Sequence, residues 1–234
     1  MSDVGGAFAA AGRLILNLES GLAEIVVLSF QVSLVAVAIA CIIGLPLGAA
    51  LAVFRFPGRK LIVVILNAFM GLPPVVVGLI LYLMLSRSGP LGTLGLLFTP
   101  TAMIIAQVML ITPIIAALTR QSTEDLWNEY SEHLRSIGSS PAEIVGTLLW
   151  DNRYSLITAV LAGFGRASAE VGAVMIVGGN IDHVTRVMTT SIALETSKGD
   201  LALALGLGII LLVLALSVNA AAFLVNEAAM KRHG

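Results

Sequence analysis

Residues 24–54 read EIVVLSFQVSLVAVAIACIIGLPLGAALAVF, a run whose one charged residue, Glu24, stands at its start. About 20 consecutive apolar residues are enough for a helix to cross the hydrocarbon core of a bilayer. Four further stretches have the same character, from about Leu61 to Leu85, Pro100 to Leu118, Leu156 to Val177 and Leu201 to Val225. The stretch from Leu156 is the weakest, because Arg166 and Glu170 each cost about 2.5–3.5 kcal/mol at a helix centre. Its apolar flanks, Ala159 to Phe164 and Val171 to Val177, compensate in part. Residues Phe8 to Leu18 are weakly amphipathic and too short to span, and are expected at the membrane interface.

The rest of the chain agrees with an all-α integral membrane protein of five transmembrane helices. Of its 234 residues, 58% are hydrophobic and 12% charged, whereas a soluble domain carries about 25% charged residues. Mean hydropathy is +0.99. That composition excludes a soluble enzyme, a disordered chain and a secreted disulfide scaffold. A net charge of −1 exerts no pull on nucleic acid. Cys41, the one cysteine, lies in an apolar run and reads as a small packing residue. The first residues, with Asp3 and Glu19, lack the pattern of a removable signal peptide.

Loop charges set the expected orientation. Arg55, Arg59, Lys60, Arg120, Arg135, Arg153, Lys231 and Arg232 fall on one side, and Arg13, Arg87, Arg186 and Lys198 on the other. The richer side is expected in the cytoplasm, which puts the N-terminus outside and the C-terminus in the cytoplasm. No internal repeat is visible, so the paired halves of a secondary transporter are missing. A pore then requires two copies of the chain.

Three features stand out. The first is Gly71-Leu72-Pro73-Pro74-Val75-Val76-Val77-Gly78, which interrupts the second span. Tandem prolines remove donors and clash with the preceding turn. The stretch reads either as a structural kink or as a kink lining a translocation path, where irregular backbone is tolerated. Pro113 gives a weaker version in the third span.

The second is the polar segment from about Arg120 to Arg153. Leu126, Tyr130, Leu134 and Ile137 form one apolar stripe at helical spacing, and Gly138 ends that helix. Ser140, Pro141 and Glu143 then predict a capped start to a second helix, with Ile144, Val145, Leu148 and Leu149 on its apolar face. The segment reads as two short helices outside the membrane, forming either a solvated hairpin or a docking surface for a cytoplasmic partner.

The third is the fourth span. Arg166 and Glu170 stand four apart on one expected helix face, reading either as a neutralised pair that locks helices or as a source of positive potential for an anion. Gly163, Gly165, Gly172, Gly178 and Gly179 crowd the same region, and small residues permit close helix contact. Gly44 and Gly48 form a GxxxG in the first span. The three His, at 133, 183 and 233, are isolated, and no P-loop or hydrolase motif occurs.

These stretches, together with GFGRASAEVGAVMIVGGN (163–180) and the run Thr189 to Thr196, resemble the permease subunits of ATP-binding-cassette importers for oxyanions. The likeness covers roughly residues 22–228 and looks closest to the tungstate-type members of the molybdate and tungstate group. It implies a type I importer permease fold in a single transmembrane domain, 1–234, with a cytoplasmic coupling loop at about 120–153. It implies a homodimer in the lipid of the inner membrane, a cytoplasmic ATPase dimer that holds all ATP and Mg, and an extracytoplasmic substrate-binding protein. The chain itself then carries no catalytic site, cofactor or metal. Glu129, Glu132, Leu134, Gly138, Ser140, Pro141 and Glu143 are the implied ATPase-coupling residues. Pro73, Pro74, Arg166, Glu170, Gly178 and Gly179 are the candidates for the path or its gate.

The loop departs from the family pattern. Gly138 fits, but His133 and Leu134 replace two alanines after Glu132, and Trp150-Asp151 replaces a Leu-Pro. The alternatives are sulfate or phosphate as cargo, or a channel or secondary carrier outside this family. A carrier needs coupling carboxylates in the spans, and Glu170 alone is available.

Overall fold

The computed structural model describes residues 20–136 and 138–233. The interfacial segment expected at 8–18, and Ile137 of the apolar stripe, lie outside the described residues. Among these, nine α-helices succeed one another: α1 (Ser20–Val53), α2 (Arg59–Met70), α3 (Pro74–Leu85), α4 (Pro100–Ser136), α5 (Pro141–Asp151), α6 (Arg153–Ser168), α7 (Gly172–Gly178), α8 (Met188–Lys198) and α9 (Leu201–His233), with a 3₁₀ turn at Gly92–Leu94. By length and composition three of them can cross a membrane: Gly21–Val53 of α1, all of α4 and Leu201–Leu224 of α9. Counting α2 with α3 and α6 with α7 as bent spans raises the number to 5. The chain is a multi-pass helical membrane protein.

Each bent pair has its own cause. The second span breaks at Gly71–Pro73, as the tandem prolines predict. Gly71 N donates to Ala68 O at 3.1 Å, and Pro74 occupies the first position of α3, where its missing donor costs nothing. The continuous helix expected over Leu156–Val177 is not formed. α6 ends at Ser168, and α7 starts at Gly172. No proline lies there. Instead Ala173 N donates to the Glu170 carboxylate (Oε1) at 3.0 Å, so the acid caps α7. Glu170 therefore lies beyond the end of the helix that holds Arg166, and helical spacing no longer relates the two residues.

A second correction concerns α4. The sequence reading ends the third span near Leu118 and starts a separate short helix in the polar segment. The helix runs unbroken through Arg120 to Ser136, 37 residues in all, or about 55 Å at 1.5 Å per residue. The polar segment holds the end of one long helix and one short helix, α5.

The chain divides into two compact units. Of the described residues, one unit holds those up to Val35, Pro74–Gln107 and Ser168–Ala221; the other holds those in Ala36–Pro73, in Val108–Ala167 and from Ala222. In the second unit α1, α4 and α6 meet at Ile115. A Cβ on Gly44 would lie 3.1 Å from Ile115 Cγ2, and one on Gly163 would lie 2.9 Å from Ile115 Cδ1. At Gly48 it would stand 2.4 Å from the Ala116 carbonyl oxygen. Lipid is as apolar as these side chains, so close packing between small residues holds such helices together. In the first unit α3 meets α7 the same way, a Cβ on Gly78 falling 2.8 Å from Ala173 Cα. A separate cluster there joins Leu22, Met188 and Leu207 of α1, α8 and α9.

Candidate functional site

In the second unit the end of α4, the turn at Gly138 and α5 form a helical hairpin. Gly138 has φ +73°. Its N–H donates to Arg135 O at 3.1 Å, and Ser139 N–H donates to Leu134 O at 3.3 Å. These are the two bonds of a Schellman turn, which satisfies carbonyls the helix end leaves open. A Cβ added at Gly138 meets nothing within 4 Å, so the backbone angle alone selects glycine.

The start of α5 is doubly capped. Ser140 N–H donates to Glu143 Oε2 at 2.7 Å, and Glu143 N–H donates to Ser140 Oγ at 3.4 Å. Pro141 sits at the first helical position. Bonds from the Ser140 side chain, and then from its backbone, hold the Glu143 carboxyl below the usual carboxylate range.

Leu134 is buried with Val53, Trp127, Ile144 and Leu148, and Leu126 and Val145 pack against them. Much of the apolar surface expected to await a partner is thus covered by the chain itself, Tyr130 excepted. Asn152 ties the end of α5 back to α4, its Nδ2 donating to Ser122 Oγ at 2.7 Å and to Thr123 Oγ1 at 3.3 Å. What the hairpin leaves outside is Glu129, Glu132, Tyr130 and Trp150, the tryptophan 69% exposed. The Arg153 guanidinium lies over the Trp150 ring at 4.8 Å and the Tyr154 ring at 4.5 Å. Sequence reasoning noted Trp150 only as a departure from the family's loop, and missed Trp127 and Asn152. Trp127 lies one position off the stripe chosen from periodicity, and a polar residue such as Asn152 gives no periodic signal.

In the first unit the segment after α7, and Phe98 just ahead of α4, have unusual backbone. Gly179 has φ +71°, and Phe98, Asn180 and His183 have φ of 62°, 50° and 57°, angles that non-glycine residues rarely take. Gly178 faces Met103, whose Sδ would lie 2.9 Å from an added Cβ, and its carbonyl accepts from Thr185 Oγ1 at 2.6 Å. Gly179 is pressed against Phe98, and Phe98 N–H donates to Val177 O at 2.9 Å. Asn180 Oδ1 accepts from Thr190 Oγ1 at 2.8 Å. An open cavity of about 480 Å³ is lined by Met175, Gly179, Asn180, Ala193, Leu194 and Ser197. Its lining carries no formal charge.

Glu170 is 4% exposed, and its carbonyl accepts from Thr189 Oγ1 at 2.8 Å. Pro74 and Glu170 fall with Gly178 and Gly179 in the first unit, Pro73 and Arg166 in the second. The loop carries a further tie: His183 Nδ1 and Glu24 Oε2 lie 2.7 Å apart. That bond to Glu24, and then the charge of Asp182, raise the His183 pKa above the ordinary imidazole value.

Residues 44–231 match the family described as the binding-protein-dependent transport system inner membrane component. The chain is 38% identical over 218 residues to a probable anion ABC transporter permease protein of Haloferax volcanii, covering 91% of this chain and 94% of that one. It is 38% identical over 227 residues to the tungstate uptake system permease protein TupB of Peptoclostridium acidaminophilum, covering 97% and 100%. To the TupB of Campylobacter jejuni it is 43% identical over 149 residues, 64% of this chain and 62% of that one.

Proposed function

The chain belongs to the family of binding-protein-dependent transport system inner membrane components, and from that premise we propose that it is the permease subunit of an ATP-binding-cassette importer for an oxyanion, tungstate before molybdate. The observation that carries the cargo is likeness to a tungstate permease along essentially both whole chains. Two copies form the path, each crossing the membrane five times with the N-terminus outside and the C-terminus in the cytoplasm. An external binding protein delivers the anion, and two ATPase subunits hold the ATP and Mg on the cytoplasmic side. The permease catalyses no reaction of its own.

The hairpin around Gly138 is the ATPase contact in this scheme. Its own cluster, turn and capping box make it rigid, so what it offers a partner is its outer surface, with Glu129, Glu132 and Trp150. The continuity of α4 supports transmission, because a push on the hairpin reaches the membrane segment along one unbroken helix. Pro73, Pro74, Arg166, Glu170, Gly178 and Gly179 contribute to the path or its gate. An uncharged cavity such as the one at Gly179 and Asn180 suits weak, releasable contact with a dianion better than tight capture.

Reconstitution with the companion ATPase and binding protein in proteoliposomes tests the scheme. ATP-dependent accumulation of tungstate is expected. Accumulation of sulfate or phosphate without tungstate would overturn the cargo, and tungstate flux that ignores ATP would overturn the importer.

A further inference from the structure

Between α1 and α2 the chain makes a tight turn. Arg59 N–H donates to Phe56 O at 3.2 Å. Pro57 and Gly58 are its central residues, and Gly58 has φ 89° and ψ −9°, the geometry of a type II turn. The membrane-crossing stretch Gly21–Val53 ends immediately before it, so the turn lies at the membrane surface. Phe54 and Phe56 are exposed there.

The turn and the facing part of α4 bring together four cations and one carboxylate, all in the second unit. Arg59 Nη2 donates to Glu124 Oε1 at 2.8 Å, and its Nε donates to Leu51 O at 2.7 Å. Arg120 binds the other oxygen of Glu124. One acid therefore serves two guanidinium groups. Arg55 and Lys60 are exposed, and neither is paired with another of the described residues. Arg120 Nε is buried and makes no hydrogen bond, so Arg120 adds positive charge behind the surface and the exposed Arg55 and Lys60 are left to meet a ligand. Nothing acidic lies in the first turn of α2. Beyond it, the exposed surface of α2 is apolar apart from Asn67, with Leu61 and Val64 each 63% exposed.

We propose that this turn is a binding site for an anionic phospholipid headgroup. The phosphodiester lies between Arg55 and Lys60, and the excess positive charge of Arg59 and Arg120 over Glu124 stands behind it. The acyl chains run along the exposed apolar surface of α2, with Phe54 and Phe56 at their upper ends. Positive charge and continuous apolar surface on one element match an anionic lipid. A soluble anion or a nucleic acid would leave the apolar part uncovered.

The test uses the full chain purified in neutral detergent and titrated with lipid by native mass spectrometry. Phosphatidylglycerol is expected to bind more tightly than phosphatidylcholine. The double variant Arg55→Gln with Lys60→Gln should weaken phosphatidylglycerol about 30-fold, the effect of removing two interfacial cations, with phosphatidylcholine unchanged. Arg87→Gln with Lys198→Gln, the same charge loss elsewhere, should leave both lipids unchanged. Equal phosphatidylglycerol affinity in wild type and the Arg55/Lys60 variant would overturn the site. Displacement of the lipid by an equal concentration of glycerol phosphate would identify a free-phosphate site instead and also overturn it. Both variants alter exposed side chains, and an unchanged elution profile checks that they fold.

Discussion

Substitution of Gly138 separates conformation from packing, because the structure gives this residue a left-handed backbone and no neighbour. An L-residue at φ +73° costs roughly 1–2 kcal/mol. Asparagine costs less, since its side chain tolerates that region, and a β-branched residue costs more. If valine instead leaves the left-handed region, the two turn bonds to Arg135 O and Leu134 O are lost, at about 0.5–1.5 kcal/mol each. Either route gives about 2 kcal/mol for Gly138→Val, a shift of roughly 30-fold in the local opening equilibrium. Hydrogen exchange of peptides covering 129–150 in the purified full chain measures it. The expected order of protection is Gly, Asn, Ala, Val, with Asn near wild type. If Asn exchanges as fast as Val, side-chain size matters and the open surroundings of Gly138 are wrong. The same variants test coupling: Gly138→Val should insert in the membrane yet lose ATPase co-purification or uptake. Normal values of both would place the ATPase contact elsewhere.

Gly48→Ala drives a Cβ toward the Ala116 carbonyl oxygen at 2.4 Å and should cost about 1–3 kcal/mol, whereas Gly165→Ala meets nothing within 4 Å; thermal unfolding in detergent should fall for the first alone, and equal falls would refute the α1–α4 contact. Ser140→Ala removes one half of the capping box and should destabilise α5 by about 1 kcal/mol, read as faster exchange at 141–144; unchanged exchange would refute the cap. His183 is held above the ordinary imidazole value by Glu24, so its tie to α1 is at full strength below that ordinary value and weakens as pH rises through the raised one. His183→Asn keeps a left-handed-tolerant residue and should abolish the pH dependence of exchange around 180–188; a titration step at or below the ordinary value in wild type would refute the pairing.

Hydropathy alone determines that this chain is a helical membrane protein, because runs such as 24–54 have no stable place in water. Local chemistry was equally legible where it is complete within a few residues. Pro73-Pro74 break a helix wherever they stand, Gly138 closes the turn it predicts, and Ser140 with Glu143 builds its cap. What the sequence does not carry is the partner of each surface. Nothing in Arg120-Gln121-Ser122-Thr123-Glu124-Asp125 ends a helix, so only the folded chain shows that α4 runs unbroken out of its apolar stretch. Leu134, Ile144 and Leu148 of the hairpin looked unpartnered until Trp127 and Val53 were seen to cover them. The break after Ser168 has no proline to announce it, and it took the fold to show Glu170 bound to the Ala173 N–H. Periodicity reports which residues avoid water, whereas the contact that receives each of them depends on residues distant in the chain, such as Gly48 on Ala116, and only tertiary packing decides it.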